Sequence, residues 1–96
     1  MPESRKKACE KKVIIKNKLG LHARPAALLV QTANRFKCEV EILKGRQKVN
    51  GKSIMGIMTL AAGSGTALTL RTQGEDAAAA MDELLRLIES NFGEEG

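Results

Sequence analysis

Apolar and polar positions along the chain fall into short periodic segments separated by turns. Lys12 to Asn17 holds a β-branched run, Val13-Ile14-Ile15, of strand length. Lys18-Leu19-Gly20-Leu21 has turn character. From Ala23 to Arg35 the apolar positions Ala26, Leu29, Val30 and Ala33, extended by Phe36, follow the helical period. Pro25 fits only the first turn, where its missing N–H is not needed, so this helix must begin at about His22 or Ala23. Cys38 to Leu43 sets Cys38, Val40 and Ile42 against Glu39 and Glu41, the alternation of a half-buried strand. Lys44-Gly45-Arg46 reads as a hairpin turn and Gln47 to Asn50 as its return strand. Ser53 caps a short helix from Ile54 to about Leu60, and Gly63-Ser64-Gly65 is a loop. Thr66 to Thr72 alternates again, with Leu68 and Leu70 on one face. Gly74-Glu75-Asp76 opens a last helix, with acidic residues where the helix dipole favours them. Its stripe is Met81, Leu84, Leu85, Ile88 and Phe92.

The order is β-α-β-β-α-β-α. Four strands with one apolar face each need a covering layer, and three amphipathic helices can supply it. An antiparallel sheet covered on one side is the economical α+β solution. No repeat or low-complexity linker interrupts the pattern. We therefore expect a single domain over residues 11–92, a flexible tail over 1–10 and a short C-terminal tail over 93–96.

Composition narrows the functional classes. A chain of 96 residues has room for one domain and not for a multi-part catalytic machine. Phe36 and Phe92 are its only aromatics, which disfavours stacking on single-stranded nucleic acid. There is no apolar run long enough for a membrane span, and the polar start lacks the apolar core of a signal peptide, so a cytoplasmic protein is expected. Cys9 and Cys38 lack metal or redox spacing and read as unpaired thiols of a reducing compartment. Charge is uneven. Residues 1–74 carry 15 basic and 4 acidic side chains, a balance of +11, whereas residues 75–96 carry 1 basic and 7 acidic, a balance of −6. A basic body of this kind suits an anionic ligand or an acidic partner, with RNA as a weaker alternative.

His22 is the only histidine. It stands where the first helix begins, directly before Ala23-Arg24-Pro25-Ala26. The first-turn N–H groups of a helix lack intrahelical acceptors, and with the dipole they form an anion site suited to phosphate. The same field disfavours a charged ring, so His22 is expected to act as a neutral nucleophile. Arg24 can offer its guanidinium fork to the same anion. On spacing alone, an ordinary N-cap histidine and a surface arginine are the stronger reading. No second histidine or thiol lies near enough in sequence for a metal site, and no GxSxG elbow or P-loop is present. Ser53 stands beside Lys52 at a second helix start, where a phosphate would also sit comfortably. In the short helix Ile57, Leu60 and Ala61 share a face that can pack on the sheet. Ile54, Met55 and Met58 then point elsewhere, as in an adaptable protein-docking patch.

Gly20-Leu21-His22-Ala23-Arg24-Pro25-Ala26 resembles the active-site signature of the histidine-containing phosphocarrier family, HPr, of the bacterial phosphoenolpyruvate-dependent phosphotransferase system. Lys52-Ser53-Ile54-Met55-Gly56-Ile57-Met58 resembles the regulatory-serine segment of that family, at matching spacing. The resemblance runs from about Lys11 to Phe92. It implies an open-faced sandwich, a four-stranded antiparallel sheet with three helices on one face. It implies a stoichiometric carrier with no cofactor and no metal, not a turnover enzyme. By position His22 would accept a phosphoryl group through Nδ1 from enzyme I and deliver it to an enzyme IIA domain. Arg24 would stabilise phosphoryl charge, and Ser53 would be the regulatory phosphorylation site, served by a serine kinase/phosphorylase. Ala23, Lys52, Ile54, Met55 and Met58 would dock partners, which can include a transcription regulator. The resemblance further implies a monomer that binds neither nucleic acid nor membrane. Asn17-Lys18-Leu19-Gly20 resembles the nitrogen-related branch, whereas Ser53-Ile54-Met55-Gly56 resembles the sugar branch. A regulatory carrier, or a binding module working through Ser53 and the Met55/Met58 patch, is the alternative. The presence of His22 separates the chain from the family variant that lacks the acceptor and serves only as a corepressor.

Overall fold

The computed structural model describes residues 7–94. Four strands and three helices follow one another as β1 (Ala8–Ile14), α1 (Ala23–Ala33), β2 (Glu39–Lys44), β3 (Gln47–Asn50), α2 (Ile54–Thr59), β4 (Ala67–Gln73) and α3 (Ala77–Glu89), with a short 3₁₀ turn at Asn91–Gly93. The sheet is antiparallel throughout, in the order β1-β4-β2-β3. Its covered face is built by alternation. Val40 and Ile42 of β2 and Leu68, Leu70 and Thr72 of β4 point to the helices and are buried. Against them lie Ala26, Leu29, Val30 and Ala33 of α1, Ile57 of α2, and Ala77, Ala80, Met81, Leu84 and Ile88 of α3. This is the open-faced sandwich of the sequence reading.

The uncovered face carries charge. Arg71 in the central strand bonds Glu10 of β1 at 3.1 Å and Glu41 of β2 at 3.3 Å, and Lys48 of β3 lies 3.6 Å from Glu41. Phe92 is buried, and Phe36 is half-buried with the Arg35 guanidinium over its ring. Neither aromatic lies on a strand, and the uncovered sheet face is an alternating ion-pair row. None of the helices among the described residues is long and apolar enough to cross a membrane.

Several boundaries differ from expectation. The first strand runs from Ala8 to Ile14, not from Lys12 to Asn17, so Ala8, Cys9 and Glu10 pair with β4 rather than belonging to a tail. The apolar pair Val13-Ile14 is the end of the strand, with Ile15 just past it, and the polar beginning carries too little apolar signal to be read. Residues 1–6 of the expected tail lie outside the described residues. Cys9 stands opposite Thr72, which on its other side stands opposite Val40. Cys9 and the region of Cys38 are therefore separated by the whole of β4, about 9–10 Å in strand spacings, beyond the reach of a disulfide. Both cysteines are free. Ala61 does not extend the packed face of the short helix. It lies beyond α2 with φ 49° and is exposed, while Leu60 and Ala62 on either side are buried.

The start of α3 is tied to the start of β2. The Asp76 carboxylate accepts hydrogen bonds from the Lys37 and Cys38 amides at 2.8 and 2.9 Å. The Lys37 amide leads in holding Asp76 below the usual carboxylate range. Burial, with the Asp76 carboxylate next in effect, pushes the Cys38 thiol up to about 11.

Candidate functional site

The segment that delivers His22 is clamped to the body of the domain by its backbone. Gly20 turns with φ +70°, and its N–H donates to Asn17 O at 3.0 Å. A Cβ on Gly20 would come within 2.5 Å of Ala62 O and 2.6 Å of Gly63 Cα, so only glycine fits. Leu21 N–H donates to Ala62 O at 2.8 Å and Leu21 is buried. The chain then enters α1 with His22 at the N-cap and in extended geometry. Ala26 N–H closes the first helical bond onto His22 O at 3.0 Å. Pro25 has no N–H to satisfy, and the amides of Ala23 and Arg24 have no acceptor among the described residues. Arg24 is exposed and forms no ion pair or side-chain hydrogen bond among them. The two anion-binding elements expected beside the imidazole, helix amides and a guanidinium, thus occupy the same first turn.

The imidazole does not cap the helix. It is a little over one-third exposed, and its Nε2 lies 2.9 Å from Glu94 Oε2. The same carboxylate accepts from Asn17 Nδ2 through Oε1 at 3.1 Å, and Asn17 Nδ2 also donates to Gly20 O at 2.7 Å. Asn17 is fully buried. His22 is the N-cap residue of α1, but its side chain points to a carboxylate rather than to the helix amides. Glu94, expected in a short C-terminal tail, returns to the site. Three successive residues, Asn91, Phe92 and Gly93, take positive φ of 57°, 56° and 74° to turn the chain back, with Phe92 buried as the anchor. Neither Asn17 nor Glu94 was expected at this site. The contact spans 72 positions in sequence, and no periodicity marks it.

Ser53 is the N-cap of α2, and its Oγ accepts from Gly56 N–H at 3.0 Å. Ile54, Met55 and Met58 are 44%, 77% and 41% exposed, so the apolar face left over in the sequence does face outward. Lys52 is placed differently from expectation. Its ammonium donates to Phe36 O at 2.7 Å, past the C-terminal end of α1, and is engaged there rather than extended toward a partner. That contact also locates Ser53. The N-terminal end of α2 lies by the C-terminal end of α1, while Ala62, past the other end of α2, holds the His22 segment. His22 and Ser53 therefore stand at opposite ends of the 11-residue α1, on the order of 15 Å apart. Among the described residues no three histidine, cysteine, aspartate or glutamate side chains gather as a metal set.

A small α+β sandwich that presents one histidine among free helix amides has the form of a phosphoryl carrier. The chain matches the profile of the family described as "PTS HPr component phosphorylation site" over residues 9–90. It is 58% identical over 80 residues to the HPr-like protein Crh of Halalkalibacterium halodurans, covering 83% of this chain and 95% of that one. It is 55% identical over 78 residues to the phosphocarrier protein HPr of Neisseria meningitidis, covering 81% and 88%. The crystal structure of HPr-C-His from Thermoanaerobacter tengcongensis superimposes with a TM-score of 0.89 at 51% identity, covering 92% of this chain and 99% of that one. The chain belongs to the HPr family, the phosphocarrier component of the phosphotransferase system.

Proposed function

We propose that this protein carries a phosphoryl group on His22, taking it from enzyme I and giving it to an enzyme IIA domain. The observation that carries this reading is the part-exposed imidazole at the mouth of α1, beside two first-turn amides and an Arg24 guanidinium that have no partner among the described residues. Phosphoryl transfer needs an aligned nucleophile and donors for the equatorial oxygens more than covalent machinery. Nε2 is occupied by Glu94, which leaves Nδ1 as the ring nitrogen with a lone pair to offer. A phosphoryl group on Nδ1 meets the amides of Ala23 and Arg24 and the Arg24 fork. The site stays open to solvent on one side, which suits a group that must leave as readily as it arrives.

Ser53 is the regulatory position in this reading. A phosphate there is too far from His22 to touch it, so its effect must pass through docking. It would place negative charge beside Ile54 and Met55, on the surface where an acidic partner would sit. The reading is tested by a relay assay with enzyme I, phosphoenolpyruvate and a labelled-phosphate readout on an enzyme IIA domain. Label should reach the IIA domain only when this protein is present. Label arriving equally without it, or never arriving although the protein itself is labelled, would sink the carrier role. A second reading, a binding module acting through Ser53 and the Met55/Met58 patch, draws on the exposure of that patch. It expects partner binding that survives His22→Ala.

A further inference from the structure

We infer that Glu94, held by Asn17, is a positioning residue for the acceptor imidazole; this rests on the reading of His22 as the phosphoryl acceptor. Three independent features of the chain converge on that carboxylate. Its Oε2 lies 2.9 Å from His22 Nε2, its Oε1 receives the Asn17 amide at 3.1 Å, and the side chain is largely buried while remaining beside the part-exposed ring. The backbone that brings it there is costly. Asn91 and Phe92 adopt left-handed φ without being glycine, a conformation that persists only where the surroundings hold it. Asn91 Oδ1 is also buried without a partner among the described residues. A chain that merely ended after α3 would need none of this. Asn17 adds a second sign of specialisation, because it is buried with its Nδ2 shared between Glu94 and Gly20 O and its Oδ1 left without a hydrogen bond.

The chemistry gives the contact a use. A carboxylate at Nε2 accepts a hydrogen bond from Nε2–H and so keeps the hydrogen on Nε2 and the lone pair on Nδ1. When Nδ1 attacks phosphorus, the new P–N bond forms as the bond from phosphorus to the donor atom breaks, and that atom keeps the electron pair. No proton has to leave Nδ1, since none is there. The His22 ring gains positive charge with its hydrogen still on Nε2, and Glu94 faces that charge directly. On delivery the P–N bond breaks and its electron pair returns to Nδ1, and the ring that kept its Nε2 hydrogen leaves as a neutral imidazole. The carboxylate therefore supports both directions of transfer by holding one proton on the ring nitrogen that does not react. A carboxylate that orients a histidine and faces the imidazolium formed in a reaction is the same arrangement that operates in hydrolytic triads.

The test compares wild type with Glu94→Gln and Asn17→Ala, purified as full chains. Stopped-time phosphorylation by enzyme I, transfer to an enzyme IIA domain, thermal unfolding and the imidazole ¹⁵N spectrum are recorded for each. Glu94→Gln keeps the shape and removes the charge. It should slow acceptance and delivery by about tenfold, the scale of one part-exposed charge-assisted hydrogen bond, and move the His22 Nε2 signal while leaving the unfolding midpoint nearly unchanged. Asn17→Ala should move the same Nε2 signal, though it also costs stability. Unchanged rates and an unchanged ring spectrum in Glu94→Gln would overturn the inference. So would faster transfer, which would make Glu94 a brake. A wild type that takes no phosphoryl group would sink the carrier reading itself, and the inference with it.

Discussion

Gly20 is where fold and site depend on a single atom. It combines φ +70° with backbone neighbours that a Cβ would strike, Ala62 O at 2.5 Å and Gly63 Cα at 2.6 Å. In Gly20→Ala the left-handed conformation costs about 1–2 kcal/mol for an L residue. The clash is with main chain, which cannot rotate away, so the segment must shift at a further cost on the order of 1–3 kcal/mol. The total, about 2–5 kcal/mol, lowers the unfolding midpoint by roughly 10–25 °C for a domain of this size. Gly45→Ala is the internal control. Gly45 has φ +58° with nothing within 4 Å of the added carbon, so it bears only the conformational part, about 1–2 kcal/mol. The shift in Gly20→Ala also breaks the Leu21–Ala62 hydrogen bond that seats His22, so phosphoryl acceptance should fall even at temperatures where the variant is folded. Calorimetry of the three proteins with parallel acceptance assays reads both effects. Equal destabilisation by the two substitutions, or a folded Gly20→Ala that accepts phosphate at the wild-type rate, would refute the clash reasoning.

Three further outcomes are expected. Ser53→Ala removes the cap onto Gly56 N–H and should cost about 1 kcal/mol, whereas Ser53→Asp keeps a capping oxygen, stays near wild-type stability and slows acceptance from enzyme I; denaturant titration and rate assays check both, and an Asp variant as fast as wild type removes the regulatory role. Asp76 is held below the usual carboxylate range in the folded chain, so its contribution is present above the unfolded value near 3.9 and is lost as pH falls through the lower folded value. Asp76→Asn should accordingly flatten the acid limb of a stability–pH curve, and an unaltered acid limb would contradict the assignment. Cys38, buried with its thiol pushed up to about 11, should resist iodoacetamide at pH 8 until the chain unfolds, while half-buried Cys9 reacts first; mass mapping of the labelled sites would contradict this if Cys38 were modified in the native protein.

Much of this architecture could be read in advance, for reasons that separate its parts. Pro25 and the stripe Ala26, Leu29, Val30, Ala33 locate the start of α1 to within a residue, because a proline excludes all but the first turn and the core needs one face, while the helix ends two residues before the expected Arg35. His22 and Arg24 follow from that start. The exposed face of α2 was legible by subtraction, since Ile57 and the flanking Leu60 suffice to pack six residues on the sheet. The start of β1 was not, because an edge strand with polar positions on both sides resembles a tail until β4 pairs with it. The bond from the Lys52 ammonium to the Phe36 carbonyl was not legible either, because only the packing of α1 on α2 brings that carbonyl within its reach. Glu94 is the deepest omission. Its place depends on a left-handed turn through Asn91 and Phe92 that propensity argues against, so a pattern-based reading leaves it in solvent.

The central claim is that His22 receives the phosphoryl group. The most direct measurement is the intact mass of the purified protein after incubation with enzyme I and phosphoenolpyruvate, with His22→Ala treated alongside. The account requires one phosphoryl adduct on wild type, labile in acid, and none on the variant. An adduct of the same mass and stoichiometry on His22→Ala, or none on wild type with an enzyme I that phosphorylates another carrier, would contradict it.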